Sequence, residues 1–350
     1  MKYFTIKKLF IVLLLIVAFI FGCNKSFDYN TTNYENLSDN KIDYNYYDVL
    51  NISPAKIIIP KNQTNSQSLS ILVSNGQGNI IVFDGGRVED ADFLCEIIKD
   101  NGGKVDTWFL THIHDDHIGA LYEILNKKST DVEINEIVYN FPSFDWLYSK
   151  MGNDAGILYL FENAINEYNE YLESLNKRKI SINDNKKKQY IYSFRSQTEN
   201  GGTGILKTMQ VEILNDVYLL DQDPINNTSI VYYVKIGDES SSLKNKGILV
   251  FGDLGYEGGN KLFIDKFSDY EYNNDLGNVD VLILSHHGQN GIDPQLYKKF
   301  NPSVVVWPTS QDIYENKNDR YYTSDTKNAL KNIKSIKHQI LSFKETAVIR

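Results

Sequence analysis

Residues 111–120 read "THIHDDHIGA" and hold His112, His114 and His117, half of the chain's six histidines, beside Asp115 and Asp116. Neither a helix nor a strand needs an imidazole for its backbone, and a buried one without a partner is unfavourable. His112 and His114 stand two apart at the expected end of a strand, so their side chains leave the same face. Asp116 and His117 follow where a loop is expected to turn them towards a second point. Two imidazoles on one face, with a carboxylate–imidazole pair beside them, make two adjacent half-sites for divalent ions such as Zn²⁺ or Mn²⁺. Metal is the expected occupant.

The segments on either side alternate between strand and helix. Upstream, "LSILVSNGQGNIIVFDGG" (69–86) reads as two strands joined by a Gly-containing turn. "RVEDADFLCEIIKDNGG" (87–103) carries Phe93, Leu94, Ile97 and Ile98 at helical spacing and stops at a glycine pair. "KVDTWFL" (104–110) is a strand leading into the histidine loop, "IGALYEILNKK" (118–128) a short helix and "INEIVYNFP" (134–142) another strand. This β-β-α-β-α-β order predicts an α/β layered domain. Residues 143–200, with the amphipathic "AGILYLFENAINEYNEYLESLNKRK", read as a helical elaboration with too little apolar surface for a core of its own. The second half repeats the theme. "MQVEILND", "SIVYYVKIG", "GILVFGD", "VDVLILSHHG" and "SVVVWPTS" are predicted strands, while "PQLYKKF" and "SDTKNALKNI" are predicted helices. Two β-rich halves fit sheets packed face to face with helices outside, in one domain over residues 53–350.

The N-terminus reads as a targeting segment. Lys2, Lys7 and Lys8 precede the uncharged run "IVLLLIVAFIFG", which ends at Cys23. Residues 1–22 are therefore expected to be a signal peptide. Ile20-Phe21-Gly22-Cys23 resembles a bacterial lipobox and implies lipidation of Cys23; an uncleaved membrane anchor is the alternative. Both readings predict an extracytoplasmic, membrane-anchored protein, at the cell surface or in the periplasm. Residues 23–52, rich in Asn, Asp and Tyr, are expected to be a flexible tether. With Cys23 acylated, Cys95 is the remaining cysteine, so no intrachain disulfide forms. Its place in an apolar-periodic stretch predicts a buried, inert thiol. The formal charge is −9, and removal of the leader makes it about −12. That sign disfavours a nucleic acid partner unless a local patch or bound cations intervene.

The histidine run, "IIVFDGG", "ILVFGDLG" and "LILSHHG" occur in an order that resembles the metallo-β-lactamase superfamily, across roughly residues 69–310. The resemblance implies a four-layer αββα sandwich and a metal-dependent hydrolase with two divalent ions, Zn or Mn. His112 and His114 would bind the first ion, and Asp116, His117 and His287 the second. Asp253 would bridge them. A buried Asp at a strand end is in any case unfavourable without a cation. Asp116 would also orient the nucleophile, with His286 as an orienting or catalytic group. The superfamily usually adds a third histidine to the first ion, but "DQDPINNTSIVYYV" (221–234) has none, and Asn227 or Ser229 is expected to line that site. The missing histidine makes a class B β-lactamase a poorer match. "NNTSIV" and the paired "HHG" resemble one subgroup, that of ComEC-type DNA-uptake proteins and phosphorylcholine esterase. The implied activity is hydrolysis of a small phosphoester or phosphodiester. A ComEC-like nuclease and a non-catalytic binding lipoprotein on the same fold are the alternatives. Trp146, Tyr148, Tyr159 and Tyr168 either roof the site or pack the elaboration. Lys317, Arg320 and His338 read as solvated.

Overall fold

The computed structural model describes residues 42–184, 188–195, 206–238, 241–267, 279–317 and 320–350. The expected signal peptide, Cys23 and residues 24–41 of the expected tether lie outside the described residues. Among the described residues, sixteen strands fall into two sheets that follow the two halves of the chain. The first sheet takes β1 (Tyr44–Tyr47), β2 (Lys56–Ile59), β3 (Ile71–Ser74), β4 (Ile80–Phe83), β5 (Lys104–Phe109), β6 (Glu133–Ile134), β7 (Glu136–Val138) and β8 (Ser181–Asn183). The second takes β9 (Gln189–Arg195), β10 (Leu206–Ile213), β11 (Tyr232–Asp238), β12 (Ser241–Val250), β13 (Val281–Ile283), β14 (Val304–Trp307) and β15 (His338–Leu341). β16 (Thr346–Ile349) then returns to the first sheet between β1 and β2.

Side-chain alternation along the strands shows the layers. Ile57, Ile59, Ile71, Val73, Ile81, Phe83 and Phe109 of the first sheet meet Tyr232, Val234, Ile248, Val250, Ile283 and Val306 of the second in one core. Their neighbours point the other way. Ile58, Leu72, Ile80, Val82 and Trp108 pack under α1 (Ala91–Asp100), α2 (Asp115–Asn126) and α4 (Gly156–Ser174), with α3 (Phe144–Met151) beside α4. Tyr233, Leu249, Leu282, Val305 and Trp307 pack under α5 (Tyr256–Phe267) and α6 (Tyr297–Phe300). Two sheets face to face with helices on both outer faces are the αββα sandwich. Strands covered on both faces read as unbroken apolar runs, which is why "IIVF" and "VVVW" lack polar alternation. No helix among the described residues is long and apolar enough to cross a membrane.

Four expectations need correction. Residues 44–47 of the expected tether form β1, paired parallel with β16 from Tyr44↔Thr346 to Tyr47↔Ile349. Tyr47 Oη donates to Glu345 Oε1 at 2.5 Å, and its ring packs edge-on against His338 at 5.3 Å. His338 is thus a β15 residue with an aromatic partner rather than a solvated one. The expected helical elaboration, 143–200, also contains β8 and β9. In "QYIYSFR" Tyr190 and Phe194 face the core while Ile191 stays exposed. Finally, Asp116 and His117 lie in the first turn of α2, not in a loop. Carboxylates at a helix N-terminus meet the positive end of its dipole, so Asp115 and Asp116 favour the earlier start.

α2 lies hard against the loop after β4. Gly85 N–H donates to the His117 carbonyl at 2.6 Å and Ala120 N–H to that of Gly86 at 3.1 Å. A Cβ on Gly119 would sit 2.7 Å from Val88 N and 2.9 Å from Arg87 Cα, both backbone atoms that have nowhere to go. Gly119→Ala is therefore expected to lower unfolding free energy by about 1–3 kcal/mol, as overpacking does. Denaturant titration of the soluble domain checks it, and a change below ~0.3 kcal/mol would contradict this packing account.

Candidate metal centre

The site lies where loops leave the C-terminal ends of β4, β5, β12 and β13, at the seam of the two sheets. Asp84 follows β4 with φ +51° and is fully buried. Its carboxylate accepts from Thr111 N and Thr111 Oγ1, both at 2.8 Å, and from His117 Nδ1 at 2.8 Å. Because a carboxylate only accepts, Nδ1 of His117 carries a proton, and Nε2 offers its lone pair to the site once the ring is in its neutral form. His287 is oriented in the same way, with Nδ1 donating to the Pro308 carbonyl at 2.5 Å.

Four segments converge on Asp253. Gly252 before it has φ +59°, and a Cβ there would meet Thr111 Cβ at 2.6 Å, so this strand end needs glycine to approach the histidine loop. Asp253 Oδ1 lies 3.1 Å from His117 Nε2, and Asp253 Oδ2 lies 3.4 Å from His287 Nε2 and 3.9 Å from His112 Nε2. His287 Nε2 is also 3.1 Å from Asp116 Oδ2. His112 Nε2 and His114 Nδ1 are 2.9 Å apart. Two groups result, His112/His114/Asp253 and Asp116/His117/His287, each with donor atoms within 4.8 Å of one another. Arg87 braces the second group, with Nη1 2.8 Å from Asp115 Oδ2 and Nη2 3.8 Å from Asp116 Oδ2.

The donor set fits divalent metal. His117 Nε2, His287 Nε2 and Asp253 Oδ1 are buried and make no hydrogen bond, although they crowd together. Ligands ~2.1 Å from a tetrahedral ion stand about 3.4 Å apart, close to the 3.1 Å from His117 Nε2 to Asp253 Oδ1 and the 3.1 and 3.4 Å from His287 Nε2 to Asp116 Oδ2 and Asp253 Oδ2. Burial pushes the His112 imidazole well below its ordinary range, with His117 and His114 adding to the effect. Burial also lowers His114, against the pull of Asp253 and Asp116. Both rings are therefore neutral at neutral pH. Burial also opposes charge on His117 and His287, but there the carboxylates win. Asp253 and Asp84 raise His117 well above its ordinary value, and Asp253 with Asp116 raises His287 to about 9. Asp253 itself stays well below the usual carboxylate range despite burial, because His117 and His287 face it. Protons thus compete with metal for the second group.

His286 lies at the rim, with Nε2 4.0 Å from Asp253 Oδ2 and 3.4 Å from Asn226 Nδ2. Asn227 and Ser229, expected to line the first site, are occupied by backbone groups instead. Asn227 Oδ1 accepts from Gly255 N and Gly258 N at 3.0 and 2.9 Å, and Ser229 Oγ accepts from Asp253 N at 3.0 Å. Asn226 is the neighbour that faces the site. Sequence reasoning gave no role to Asp84, although a carboxylate directly after the buried run "IIVF" was a visible signal. Tyr168 is buried in the core under α4, Tyr159 packs on Phe144 with ring centroids 4.3 Å apart, and Tyr148 is exposed. Lys150 of α3 reaches Asp221 at 2.8 Å, tying the helix to the segment that carries Asn226. Lys317 pairs with Glu315 at 2.8 Å and Arg320 sits over the Tyr321 ring, both away from the site.

A family model described as the Metallo-beta-lactamase superfamily matches residues 64–182. This segment belongs to the metallo-β-lactamase superfamily. A comparison with curated proteins finds no match. Solved structures similar to the chain include the short form of human tRNase Z, at 12% identity and TM-score 0.35, covering 72% of this chain and 90% of that one. A diphosphatase of the PhnP family has 10% identity and TM-score 0.34, over 72% and 85%. Unliganded yeast PDE1 has 10% identity and TM-score 0.42, over 85% and 97%. The superfamily match and the two donor groups make the chain a metal-dependent hydrolase that binds divalent metal.

The raised His287 pKa gives a pH signature. A folded value of about 9 above an unfolded value near ~6.5 contributes stability that is complete below the unfolded value and lost as pH rises through the folded one. The chelator-treated domain should therefore lose melting temperature between about pH 6.5 and 9.5, and metal affinity should rise over the same window as protons leave. His117, raised in the same sense, adds to the slope, so His287→Gln should make both profiles shallower without abolishing them; an unchanged slope in that variant would exclude His287 as a titrating group.

Proposed function

We propose that the chain is a binuclear metallo-hydrolase of small phosphoesters or phosphodiesters, held outside the cytoplasm by a lipid on Cys23. The observation that carries the binuclear reading is the position of Asp253. Its Oδ1 faces His117 at 3.1 Å while its Oδ2 faces His112 at 3.9 Å, so one carboxylate addresses both donor groups. His112, His114 and Asp253 would hold one ion, and Asp116, His117, His287 and Asp253 the other, with Zn²⁺ or Mn²⁺ suiting this nitrogen and oxygen set. When bound, such ions polarise the ester and acidify the attacking water. The chain's own groups then have defined tasks. Asp116, held between Arg87 and His287, orients that water. Asp84 and Pro308 keep two imidazoles from rotating. His286, part exposed, faces the entry side.

Two features support a small ester over nucleic acid. The formal charge is −9, and long DNA contacts require a basic track. Within the lysine run 177–188, Lys179 pairs with Glu173 at 2.7 Å and Lys188 with Asp216. Lys99 likewise pairs with Asp131 at 2.7 Å. Elsewhere in that run, residues 185–187 lie outside the described residues.

The metal-loaded domain should turn over a chromogenic phosphodiester and leave linear DNA largely intact at physiological salt. Asp116→Asn should lower that rate by about 10²–10³-fold, as loss of one positioned charged contact does, with the fold retained by circular dichroism. Salt-sensitive DNA degradation without small-ester turnover would move the chain to the nuclease reading, and no turnover of either substrate to the binding module. For the address, Cys23→Ser should leave unprocessed precursor in the membrane fraction; normal maturation of that variant would refute lipidation.

A further inference from the structure

The two donor groups are unequal. The second has Asp116, His117 and His287 with Asp253 against them, while the first has His112, His114 and Asp253. The segment before β11 brings no histidine to the first group, and its Asn227 and Ser229 hold backbone N–H groups. One ring faces this gap. His286 and His287 follow β13 as consecutive left-handed residues, at φ +47° and ψ +49°, then φ +56° and ψ +20°. L-residues adopt that conformation in succession only where the surroundings enforce it. The turn splays the two rings, with centroids 6.2 Å apart. His287, tied to Pro308, looks towards Asp116. His286 approaches Asp253 Oδ2 at 4.0 Å, and His112 Nε2 approaches the same oxygen at 3.9 Å.

That near-equality carries the inference. Donors bonded at ~2.1 Å to one ion lie about 3–4.2 Å apart, from adjacent to opposite positions. Asp253 Oδ2 lies within that spacing of His112 Nε2 at 3.9 Å and of His286 Nε2 at 4.0 Å, whereas His287 Nε2, nearer at 3.4 Å, is turned to Asp116 by its bond to Pro308. Asn226 Nδ2, held 2.9 Å from Asp223 Oδ1, lies 3.4 Å from His286 Nε2, a long contact that the ring gives up when it turns to the gap. His286 Nδ1 is buried without a hydrogen bond, so no second partner pins the ring against a small shift towards the gap. We infer that His286 is the further protein ligand of the first ion, so that adjacent residues in "SHHG" serve different metals. The inference rests on the binuclear reading above, and replaces a purely catalytic role for His286.

Metal stoichiometry and Co²⁺ titration, followed by absorbance with a competing chelator, test it without reference to activity. Wild type should bind two ions. His286→Ala should keep one at wild-type affinity and bind the other about 10–100-fold more weakly. Added to His112→Ala it should leave the second ion's affinity unchanged, because both act on the first ion; added to His287→Ala it should weaken the remaining one. Where His286→Ala does not fold by circular dichroism, His286→Gln is read in the same way. Unchanged affinity for both ions, with a fall in hydrolysis, would overturn the inference and return His286 to substrate. Two ions weakened equally would overturn it too. A wild-type stoichiometry of one or none would instead refute the binuclear reading on which it stands.

Discussion

The arrangement depends on one buried carboxylate that touches no substrate. Asp84 is fully buried and accepts three hydrogen bonds at 2.8 Å, two from Thr111 and one from His117. It fixes both ends of the turn between β5 and α2, and so sets where His112, His114 and Asp116 can point. Burial raises the Asp84 carboxyl, against the pull of His117 and Thr111. Removing one partner from such a group leaves the rest unsatisfied, which is why buried networks are all-or-none.

The same turn is where the sheets are joined. Ile230 N–H donates to the Thr111 carbonyl at 2.9 Å and Tyr232 Oη to that of Leu110 at 2.7 Å. Gly252 comes within van der Waals reach of Thr111 from the other side. The apolar core between the sheets supplies the driving force for stacking, but it is non-directional. These polar contacts supply the register. They hold Asp253, from one half of the chain, against the histidines from the other.

Legibility followed range. "THIHDDHIGA" showed the site because its donors are close in sequence, and "ILVFGD" showed Asp253 because a carboxylate ends an apolar strand. The αββα layers followed from the apolar runs and their spacing together with the family resemblance. What escaped depends on distant partners or on single turns. "YNYY" carries no clear alternation of apolar and polar residues, and becomes β1 because Thr346–Ile349 lies beside it. Asn226 rather than Asn227 faces His286 because a short 3-10 turn over Asn226–Thr228 aims them differently. No periodicity in the sequence distinguishes two adjacent asparagines.

The insertion of β16 between β1 and β2 bears on how the molecule is made. Every strand of the first sheet but this one precedes residue 184, yet β2 has no partner on its outer side until residues 346–349 arrive. Closing a contact across roughly 300 residues is slow, because the chain entropy must be lost before any pairing compensates. During synthesis the β2 edge therefore stands open longest, and an open edge is where other chains add.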